Sequence, residues 1–562
     1  MPSSLEIAQA ATPRPIGEVA AELGLSVAEI EPYGRHVAKV SRPAPPRAER
    51  PRGRLVLVTA ITPGPAGEGK TTTAVGLTDA LRRLGRRAVL TLRQPSLGPV
   101  FGVKGGGSGG GRAQVIPAEA LNLHLTGDFH AVGAAHNLAA AMVDNHLNHG
   151  NALGLEPGSI TWPRVVDMND RVLRDAVVGL GGRSNGPVRE TEWVITAASE
   201  VMAVLSLADD LADLRRRLGR IVVGRRRQGS PVALEELRAA GAMAALLREA
   251  VKPNLLQTLE GSPVLVHAGP FGNIAQGTSS VVADRLGLAL ADWVVTEAGF
   301  GADLGAEKFF DLKCRQSGLA AAAAVVVATV RALKRHGGAG GGARGAAAEE
   351  ALAAEDPAAL EQGCVNLARQ IGVVRTFGVP AVVALNAHPG DRPAEWEAAR
   401  RAALAAGARA AVVATHFADG GAGARDLAEA VVAAAGPGEC RLLYPDEAPL
   451  ETKIEAVATR IYGAEGVDLS HGARAQLAEL AALGCGRLPV CIAKTPYSFS
   501  HDPVLGPNPA GFRLPVREVR LAAGAGFATA LAGEVQLMPG LPARPAAEEI
   551  DVDASGRVIG LR

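Results

Sequence analysis

The segment RLVLVTAITPGPAGEGKTTTAVGLTDALRRLGRRAVLTL occupies residues 54–92. A short apolar run (54–61) leads through a glycine-rich turn into a helical pattern (71–84), and Gly85 separates this helix from a second apolar run (88–92). Short apolar runs that are bounded by turn residues are typical of buried strands. Strand, helix and strand in this order predict a βαβ unit of a parallel sheet. In such sheets the ligand crevice lies at the carboxyl ends of the strands.

The glycine-rich turn contains a phosphate-binding motif, because Gly64-Pro-Ala-Gly-Glu-Gly-Lys-Thr71 matches G-x-x-x-x-G-K-[ST] between a strand and a helix. Backbone N–H groups of such a loop surround phosphates, Lys70 can reach the outer phosphates, and Thr71 can bind Mg²⁺. We therefore predict an α/β fold with a P-loop NTPase-like parallel sheet flanked by helices, and additional smaller α/β domains. The predicted nucleotide-binding residues are Gly64, Pro65, Ala66, Gly67, Glu68, Gly69, Lys70, Thr71 and Thr72.

The α/β pattern continues to about residue 435. Apolar runs predict buried strands at 264–267, 293–296, 381–385 and 411–414. The run 319–330 is too short to span a bilayer and predicts a buried strand or helix.

Length and composition shifts predict several domains, since a chain of 562 residues at roughly 150 residues per domain holds three or four units. The low-complexity stretch 336–359 is predicted to be a mobile surface connector. The predicted segments are a leader that packs on the first domain (1–52), a nucleotide domain (53–350), a second α/β domain (360–455) and a C-terminal domain (456–562).

Charge and cysteine content restrict the partners and the compartment. Lys and Arg number 58 and Asp and Glu 57, so a formal net charge of +1 supplies no global field toward nucleic acid or an anionic membrane. The five cysteines form no C-x-x-C pair, which argues against a disulfide framework and a zinc site. We expect no nucleic-acid partner, no membrane partner and a cytoplasmic location.

Two charged residues follow predicted strands at the same sheet edge as the phosphate loop. Arg93 could clamp a developing phosphoryl or carboxylate anion, or it could bond loop carbonyls. Glu297 could act as a base or as a partner of magnesium-bound water, or it could cap the next helix. The cation-flanked glycine run 104–112 could form an anion site, although most such runs are linkers.

Histidines and carboxylates concentrate between residues 128 and 149. Asp144, His146 and His149 could suggest a metal site, but their spacing matches no standard zinc pattern. Such residues at helix ends more often satisfy loop backbone groups, and we favour that interpretation.

Two later loops are candidates for contacts with a flat ring. Asn386, His388 and Pro389 follow a predicted strand where P-loop proteins often recognise a base, and the absence of Asn-Lys-x-Asp favours adenine over guanine. Phe417 could be a stacking platform or the lid of a local core, and the sequence alone favours the core.

Taken together, these motifs resemble the formate–tetrahydrofolate ligase family over nearly the whole chain. The resemblance rests on an ordered set of motifs, of which a phosphate loop alone could be shared with many ATPases. The motifs are Thr62-Pro-Gly-Pro-Ala-Gly-Glu-Gly-Lys-Thr-Thr-Thr73, Pro95-Ser-Leu-Gly-Pro99, Leu125-Thr-Gly-Asp128, Ala135-His-Asn137, Asp144-Asn-His146, Thr296-Glu-Ala-Gly-Phe-Gly-Ala-Asp-Leu-Gly-Ala-Glu-Lys-Phe309, Tyr497-Ser-Phe-Ser500 and Met538-Pro-Gly-Leu-Pro542.

The resemblance implies an ATP-dependent joining of formate to N10 of tetrahydrofolate through formyl phosphate. It implies that Lys70 contacts the phosphates, that Arg93 holds formate and formyl phosphate, and that Asp128 orients the pterin or receives the N10 proton. It also implies that segment 53–350 binds formyl phosphate and that Asn386, His388, Pro389 and Phe417 supply adenine and folate loops. Magnesium, activation by K⁺ or NH₄⁺, and a homotetramer are further family expectations.

The chain departs from the family pattern on the substrate side. Gln94 stands where the family usually has Glu, which removes a negative charge and a possible base. His388 and Phe417 replace other aromatic residues, Arg112 replaces a common Tyr, and Pro496 replaces a frequent Gln. These departures keep open an acyl-phosphate ligase with another acid or acceptor. A P-loop switch ATPase is a third alternative, and the 303–309 motif speaks against it.

Overall fold

The computed structural model describes residues 2–46, 53–65, 67–103, 106–272, 274–341 and 345–561. Ala66 of the predicted phosphate loop and Lys104 of the glycine run lie outside the described residues. The α- and π-helices are Ser4–Ala10, Ile16–Glu22, Lys70–Arg83 (α1), Leu97–Phe101, Ala118–Asn122, Asp128–Asn148 (α2), Glu200–Leu207, Leu211–Arg220, Ala240–Leu246, Val281–Leu290, Ala302–Ala306, Phe309–Cys314, Arg315–Ser317, Val330–His336, Ala346–Ala353, Pro357–Thr376, Pro393–Ala405, His416–Asp419, Arg425–Ala434, Leu450–Arg460 and His471–Ala482. Short 3₁₀ turns are Val27–Glu29, Pro157–Ser159, Arg171–Arg174, Arg183–Asn185, Thr196–Ala198, Gly420–Ala424, Pro503–Leu505 and Ala546–Glu548.

Two sheets organise these helices. The 12-stranded sheet contains Ile30–Pro32 (β1), Ala38–Val40 (β2), Arg54–Ala60 (β3), Ala88–Leu92 (β4), Gly109–Gly110 (β5), Ala113–Ile116 (β6), Asn254–Thr258 (β7), Pro263–Val266 (β8), Trp293–Glu297 (β9), Ala321–Ala328 (β10), Ala381–Asn386 (β11) and Ala410–Ala414 (β12). The 4-stranded sheet contains Val467–Leu469 (β13), Val490–Ala493 (β14), Leu514–Ala522 (β15) and Phe527–Ala532 (β16). Two-stranded pairs join Arg164–Val166 with Trp193–Ile195, Ala176–Val178 with Arg189–Thr191, Val222–Arg225 with Pro231–Ala233, and Asp551–Val552 with Val558–Ile559.

The large sheet has the strand order β1-β2-β7-β8-β4-β9-β3-β10-β11-β12, with β6 pairing to β7 and β5 to β6. Every pair from β8 to β12 in this order is parallel, and the pairs at the opposite end are antiparallel. This confirms the predicted α/β class, the βαβ unit and the strands predicted from apolar runs. The run 319–330 forms β10, which lies beside β3.

Alternate side chains of the central strands enter two different cores, as the twofold side-chain period of a strand requires. Leu55 and Leu57 of β3 join one cluster, whereas Val56 and Val58 join another. Helix α1 covers the second face, and helices 281–290 and 357–376 cover the first. A strand that is covered on both faces reads as a continuous apolar run, which explains why the sequence pattern was sufficient to find it.

Three of the four segments predicted as separate units contribute strands to the large sheet, and the C-terminal segment 456–562 forms the 4-stranded sheet. Strands β1 and β2 of the leader join its antiparallel end, with Ala38 opposite Leu255. Strands β11 and β12 extend its parallel end, so the segment 360–455 adds to the same sheet. The division of the chain into these four segments therefore stays a prediction. Helix Ala346–Ala353 lies inside the stretch predicted as a mobile surface connector.

Among the described residues, no helix combines the length and the apolar character that a membrane crossing requires.

A buried carboxylate anchors α1 to the loop after β7. Asp79 is 1% exposed, and its Oδ1 accepts hydrogen bonds from the hydroxyls of Thr258 (2.6 Å) and Ser262 (2.5 Å). Burial raises the pKa of Asp79 to about 7, although these two hydrogen bonds oppose the rise. The folded state therefore binds a proton that the unfolded state releases near pH 4.

We predict that the stabilising contribution of Asp79 is fully present below pH 4 and is lost as the pH rises through about 7. Asp79→Asn removes this titration, so its unfolding free energy relative to the wild type should rise by about 2 kcal/mol between pH 5 and pH 7. Urea unfolding at intervals from pH 5 to 8 measures the difference. Asp426→Asn, at an exposed position, controls for net charge. A difference between Asp79→Asn and wild type that is constant with pH would contradict the assignment.

Candidate active site

Three adjacent parallel strands place the predicted functional residues at one edge of the sheet. Strand β9 lies between β3 and β4. The phosphate loop follows β3, Arg93 follows β4, and Glu297 is the last residue of β9. Because carboxyl ends of parallel strands meet at one edge, residues far apart in the sequence become neighbours there.

The phosphate loop has the backbone that its glycines permit. Gly67 and Gly69 have φ angles of +74° and +75°, in the left-handed region that favours glycine. Gly69 lies directly before α1, so the loop opens at a helix N-terminus, which favours anions. Glu68 folds back into the loop, where its Oε1 accepts the N–H of Gly64 at 2.6 Å. Burial raises the pKa of this carboxyl.

Lys70 and Arg93 converge at this edge, and both are partly buried. Burial lowers the pKa of Lys70, the charges of Glu297 and Glu68 oppose that change, and Arg93 adds to it. Burial also lowers the pKa of Arg93, and Glu297 again opposes the change. Two cations that share one carboxylate in a partly desolvated site favour an anionic ligand, because the anion offsets their mutual repulsion.

Glu297 lies beside the phosphate loop rather than at a helix cap. The hydroxyl of Thr71 donates a hydrogen bond to Glu297 Oε2 at 2.7 Å. The next helical turn, Ala302–Ala306, has Gly301 at its N-cap. A hydroxyl and a carboxylate oxygen at this separation suit Mg²⁺, which prefers oxygen ligands and keeps several waters. The residues present therefore fit a magnesium ion.

Arg93 has both contacts and space. Its Nη1 donates a hydrogen bond to the carbonyl of Pro270 at 2.9 Å. This is the contact with a loop carbonyl that the structural interpretation of Arg93 predicted. A Cβ added at Gly299 would lie 2.8 Å from Arg93 Nη2. Glycine at this position is therefore needed for the guanidinium to lie across the chain that leaves β9.

Gln94 brings an unsatisfied amide next to Arg93. Its side chain is 2% exposed, and neither Oε1 nor Nε2 has a hydrogen-bond partner among the described residues. A buried amide without partners costs free energy unless a ligand or an ordered water completes its bonds. This observation extends the site from Arg93 to the adjacent residue.

Asp128 has contacts that favour a structural role. It is 3% exposed, and its two carboxylate oxygens lie 2.6 and 2.7 Å from Lys39 Nζ. Asn254 Nδ2 donates a further hydrogen bond at 2.8 Å. A carboxylate that already neutralises a fully buried ammonium is poorly placed to accept a proton from a substrate. The proposed catalytic role of Asp128 is therefore not supported by its contacts.

The two candidate ring-binding loops present exposed side chains. His388 and Pro389 are exposed, and Arg331 Nη1 donates a hydrogen bond to His388 Nε2 at 2.9 Å. Phe417 is 55% exposed, so the interpretation of this ring as part of a local core was wrong. Its backbone carbonyl accepts the N–H of Arg112 at 2.8 Å, which brings together two of the positions that depart from the family pattern.

Sequence reasoning missed three residues that connect the segment around the phosphate loop (62–73) to distant parts of the chain. Thr73, Asn366 and His416 are fully buried, and each side chain forms hydrogen bonds with a distant segment. Asn366 Nδ2 donates to Thr62 Oγ1 at 2.8 Å, and Asn366 Oδ1 accepts the Thr62 N–H at 3.1 Å. The only sequence signal was Gly76 in the middle of α1, since glycine inside a helix often marks a close approach.

The histidine-rich segment is structural, as favoured above. Asp144 forms ion pairs with Arg164 (2.7 Å) and Arg189 (2.6 Å), and His146 accepts the N–H of Leu153 at 3.2 Å. No group of three or more His, Cys, Asp or Glu side chains suits a metal ion within the described ranges.

His136 of the same segment borders a separate cavity. The cavity has a volume of about 360 Å³ and is lined by Trp162, Glu200 and Phe527 among others, but not by Lys70 or Arg93. His136 stacks on Trp162 with ring centroids 4.1 Å apart, and burial lowers its pKa to about 3. This histidine is therefore a neutral core residue.

The whole chain is similar to proteins of one family. A family model described as formate–tetrahydrofolate ligase matches residues 2–562. Formate–tetrahydrofolate ligases from Saccharopolyspora erythraea and a Roseiflexus species are 58% and 57% identical over 563 residues, covering 100% of each chain. Formate–tetrahydrofolate ligase 1 from Rubrobacter xylanophilus is 56% identical over 571 residues, covering 100% of this chain and 99% of that protein. The chain therefore belongs to the formate–tetrahydrofolate ligase family and catalyses the ATP-dependent ligation of formate to tetrahydrofolate.

Proposed function

We propose that the ligation proceeds through formyl phosphate at the sheet edge where Lys70 and Arg93 converge. The observation that carries this proposal is the position of the phosphate loop, Arg93 and Glu297 at the ends of three adjacent strands, with Thr71 bonded to Glu297 at 2.7 Å. An acyl phosphate concentrates negative charge at the transferring group, and cations that already face one site stabilise it without reorganisation.

In the first step, a carboxylate oxygen of formate attacks the γ-phosphorus of ATP and the bond to the β-phosphate oxygen breaks. The products are formyl phosphate and ADP. Lys70, at the start of α1, contacts the phosphates and spreads the charge that moves toward the leaving oxygen. Arg93, from the neighbouring strand end, holds formate in line with the transferred group.

In the second step, N10 of tetrahydrofolate attacks the formyl carbon. The tetrahedral intermediate expels inorganic phosphate, and N10 loses its proton, for which the departing phosphate is an available acceptor. Arg93 stabilises the oxyanion at the former carbonyl oxygen. This assignment leaves Asp128 in its ion pair with Lys39, consistent with the contacts of both side chains.

Magnesium fits this scheme at Thr71 and Glu297. When bound, the ion would neutralise charge on the phosphate oxygens, while Thr71 and Glu297 supply oxygen ligands 2.7 Å apart. We include K⁺ or NH₄⁺ as an activating monovalent cation on the basis of family resemblance.

The loops after β11 and β12 are the proposed site for the flat rings of the substrates. Phe417 offers an exposed aromatic face, and His388 is held by Arg331 at the surface. Exposed rings near a phosphate site favour stacking with the pterin. Asn386 and Pro389 belong to the same loop, next to the phosphate loop, and are proposed to contact adenine or folate.

The assembly and the compartment are also proposals. We infer a homotetramer from the family resemblance and a cytoplasmic location from the five cysteines, all of which are unpaired thiols. Gel filtration with light scattering tests the tetramer.

The direct test of the function is an assay of purified protein with formate, MgATP and tetrahydrofolate. The expected products are 10-formyltetrahydrofolate, ADP and phosphate in equal amounts. ADP formation that is independent of formate would contradict the mechanism. ADP formation with another acid or acceptor would favour the diverged ligase instead.

Lys70→Ala should lower turnover about a hundredfold or more, because it removes a charge aimed at the transferred phosphoryl group. The thermal midpoint should change little, since Lys70 is partly exposed. Release of ADP and a melting curve measure the two effects. Arg86→Ala, which removes an exposed positive charge elsewhere, is the control and should keep full activity. Unchanged turnover in Lys70→Ala would refute the assignment.

Gln94→Glu should raise the rate of formyl transfer, because it restores the carboxylate that the family usually carries beside the formate-binding Arg. Gln94→Met, which has a similar volume and no polar terminus, should lower the rate, since the orphaned amide is then not available to a ligand. Single-turnover formation of 10-formyltetrahydrofolate measures both. An equal or lower rate in Gln94→Glu would show that the amide is adapted to this chain.

Asp128→Asn should lower the free energy of unfolding by about 3 kcal/mol, because it leaves the buried Lys39 charge without its carboxylate partner. It should leave kcat of the folded enzyme nearly unchanged. Adding Lys39→Met removes both charges and should recover part of the lost stability. Urea unfolding and steady-state assays measure the two quantities. A large fall in kcat with unchanged stability would instead assign Asp128 to catalysis.

A further inference from the structure

The hydroxyl of Thr73 is a junction between the phosphate loop and two distant loops. Thr73 lies in the first turn of α1 and is fully buried. Its Oγ1 donates a hydrogen bond to the carbonyl of Gly69 at 3.0 Å and accepts one from Asn386 Nδ2 at 2.9 Å. The same Asn386 nitrogen donates to the carbonyl of Glu68 at 2.9 Å. Two consecutive peptide groups of the phosphate loop are therefore bonded to this junction.

His416 is the third hydrogen-bond partner of the Thr73 hydroxyl, after Gly69 and Asn386. Its Nε2 lies 3.2 Å from Thr73 Oγ1, across a sequence separation of 343 residues. Burial lowers the pKa of His416 to about 4, so the ring is neutral near pH 7 and carries one N–H. Nδ1 is buried and has no hydrogen-bond partner among the described residues. The N–H is therefore assigned to Nε2, which donates to Thr73.

Close packing holds the side chains of Asn386 and His416 against Thr73. A Cβ added at Gly76 would lie 2.6 Å from His416 Cβ, so this helix position accepts only glycine if the imidazole is to reach Thr73. A Cβ added at Gly69 would lie 3.0 Å from Asn386 Nδ2. Glycines on both sides of Thr73 thus permit the approach of both loops.

The two loops that reach Thr73 carry the proposed acceptor-binding residues. Asn386 ends β11 two residues before His388, and His416 directly precedes Phe417. The loops are also joined to each other, since the Ala387 N–H donates to the Ala414 carbonyl at 3.0 Å. A change in the position of the phosphate-loop peptides is therefore transmitted to the His416 loop through the Thr73 hydroxyl, and to the Asn386 loop through this hydroxyl and the bond of Asn386 to Glu68.

Phosphate binding changes the loop at the peptides that Thr73 and Asn386 hold. Backbone N–H groups of a phosphate loop turn inward to bind a nucleotide, which orders the peptide planes and aims their carbonyls outward. Carbonyls that are fixed in this way hold Thr73 and Asn386 in one arrangement. The loops after β11 and β12 then lose less freedom when a second ligand binds, which strengthens that binding.

We propose that Thr73 and His416 are positioning residues that couple nucleotide binding at the phosphate loop to acceptor binding at the His388 and Phe417 loops. The coupling rests on the proposed function, because it takes the acceptor to be tetrahydrofolate bound at these loops. It predicts that each ligand raises the affinity for the other by the same factor, as linkage requires.

The test measures the dissociation constant of tetrahydrofolate with and without saturating MgADP. Formate is absent, so no chemistry occurs. In the wild type, MgADP should tighten binding about tenfold. Thr73→Val keeps the side-chain volume and removes the hydroxyl, so the ratio should fall toward one. Thr73→Ser keeps the hydroxyl and should retain most of the ratio.

His416 provides an independent pair of variants. His416→Leu removes the donor and should also bring the ratio toward one. His416→Gln places an amide N–H within reach of Thr73 Oγ1 and should restore part of the coupling. A merely structural role would lower the melting temperature without this pattern of rescue.

Two results would overturn the inference: a wild-type ratio of one, or a wild-type ratio retained by both Thr73→Val and His416→Leu. The wild-type measurement decides the question even if these variants fail to fold. Failure of the proposed function is seen separately, since a protein that binds both ligands independently and still forms 10-formyltetrahydrofolate refutes only the coupling. A protein that forms no product with formate, MgATP and tetrahydrofolate refutes the function.

Discussion

The active site depends on the confinement of positive charge at the carboxyl ends of three adjacent parallel strands. Lys70 and Arg93 come from strands on either side of β9, and Glu297 at the end of β9 lies between them. Partial burial makes both cations costly, and one carboxylate compensates them incompletely. The proposed formyl phosphate would supply the negative charge that completes this balance. The sheet order thus brings these residues together, because it places the ends of β3 and β4 on either side of Glu297.

The surrounding structure holds this edge through buried polar contacts rather than aromatic packing. Aromatic residues make up 3% of the chain, and the cores consist mainly of Ala, Val and Leu. Polar side chains therefore specify how distant segments meet. Lys39 with Asp128, Asp79 with the β7 loop, and Thr73 with His416 are examples. Each has a defined geometry because a buried polar group that loses its partner costs more than the contact itself contributes.

The residues that depart from the family pattern lie outside the phosphate loop. Arg112 and Phe417 share a backbone hydrogen bond, and His388 is bonded to Arg331 at the surface. Gln94 alone lies next to a charged site residue. The nucleotide-binding motif is complete, whereas the departures fall at residues for which we propose contacts with the acid and the acceptor.

Sequence alone determined the α/β class, the phosphate loop, the buried strands and the placement of Arg93, because local periodicity and turn residues encode them. Tertiary structure alone decided the exposure of Phe417, the ion pair of Asp128 with Lys39, and the entry of β11 and β12 into the large sheet. These features join residues that lie tens to hundreds of positions apart, and no local pattern records which partner a buried polar group will meet. The junction at Thr73 shows the difference most clearly: its threonine is part of a recognisable motif, whereas its histidine partner is fixed only by the packing of the short helix His416–Asp419 against α1.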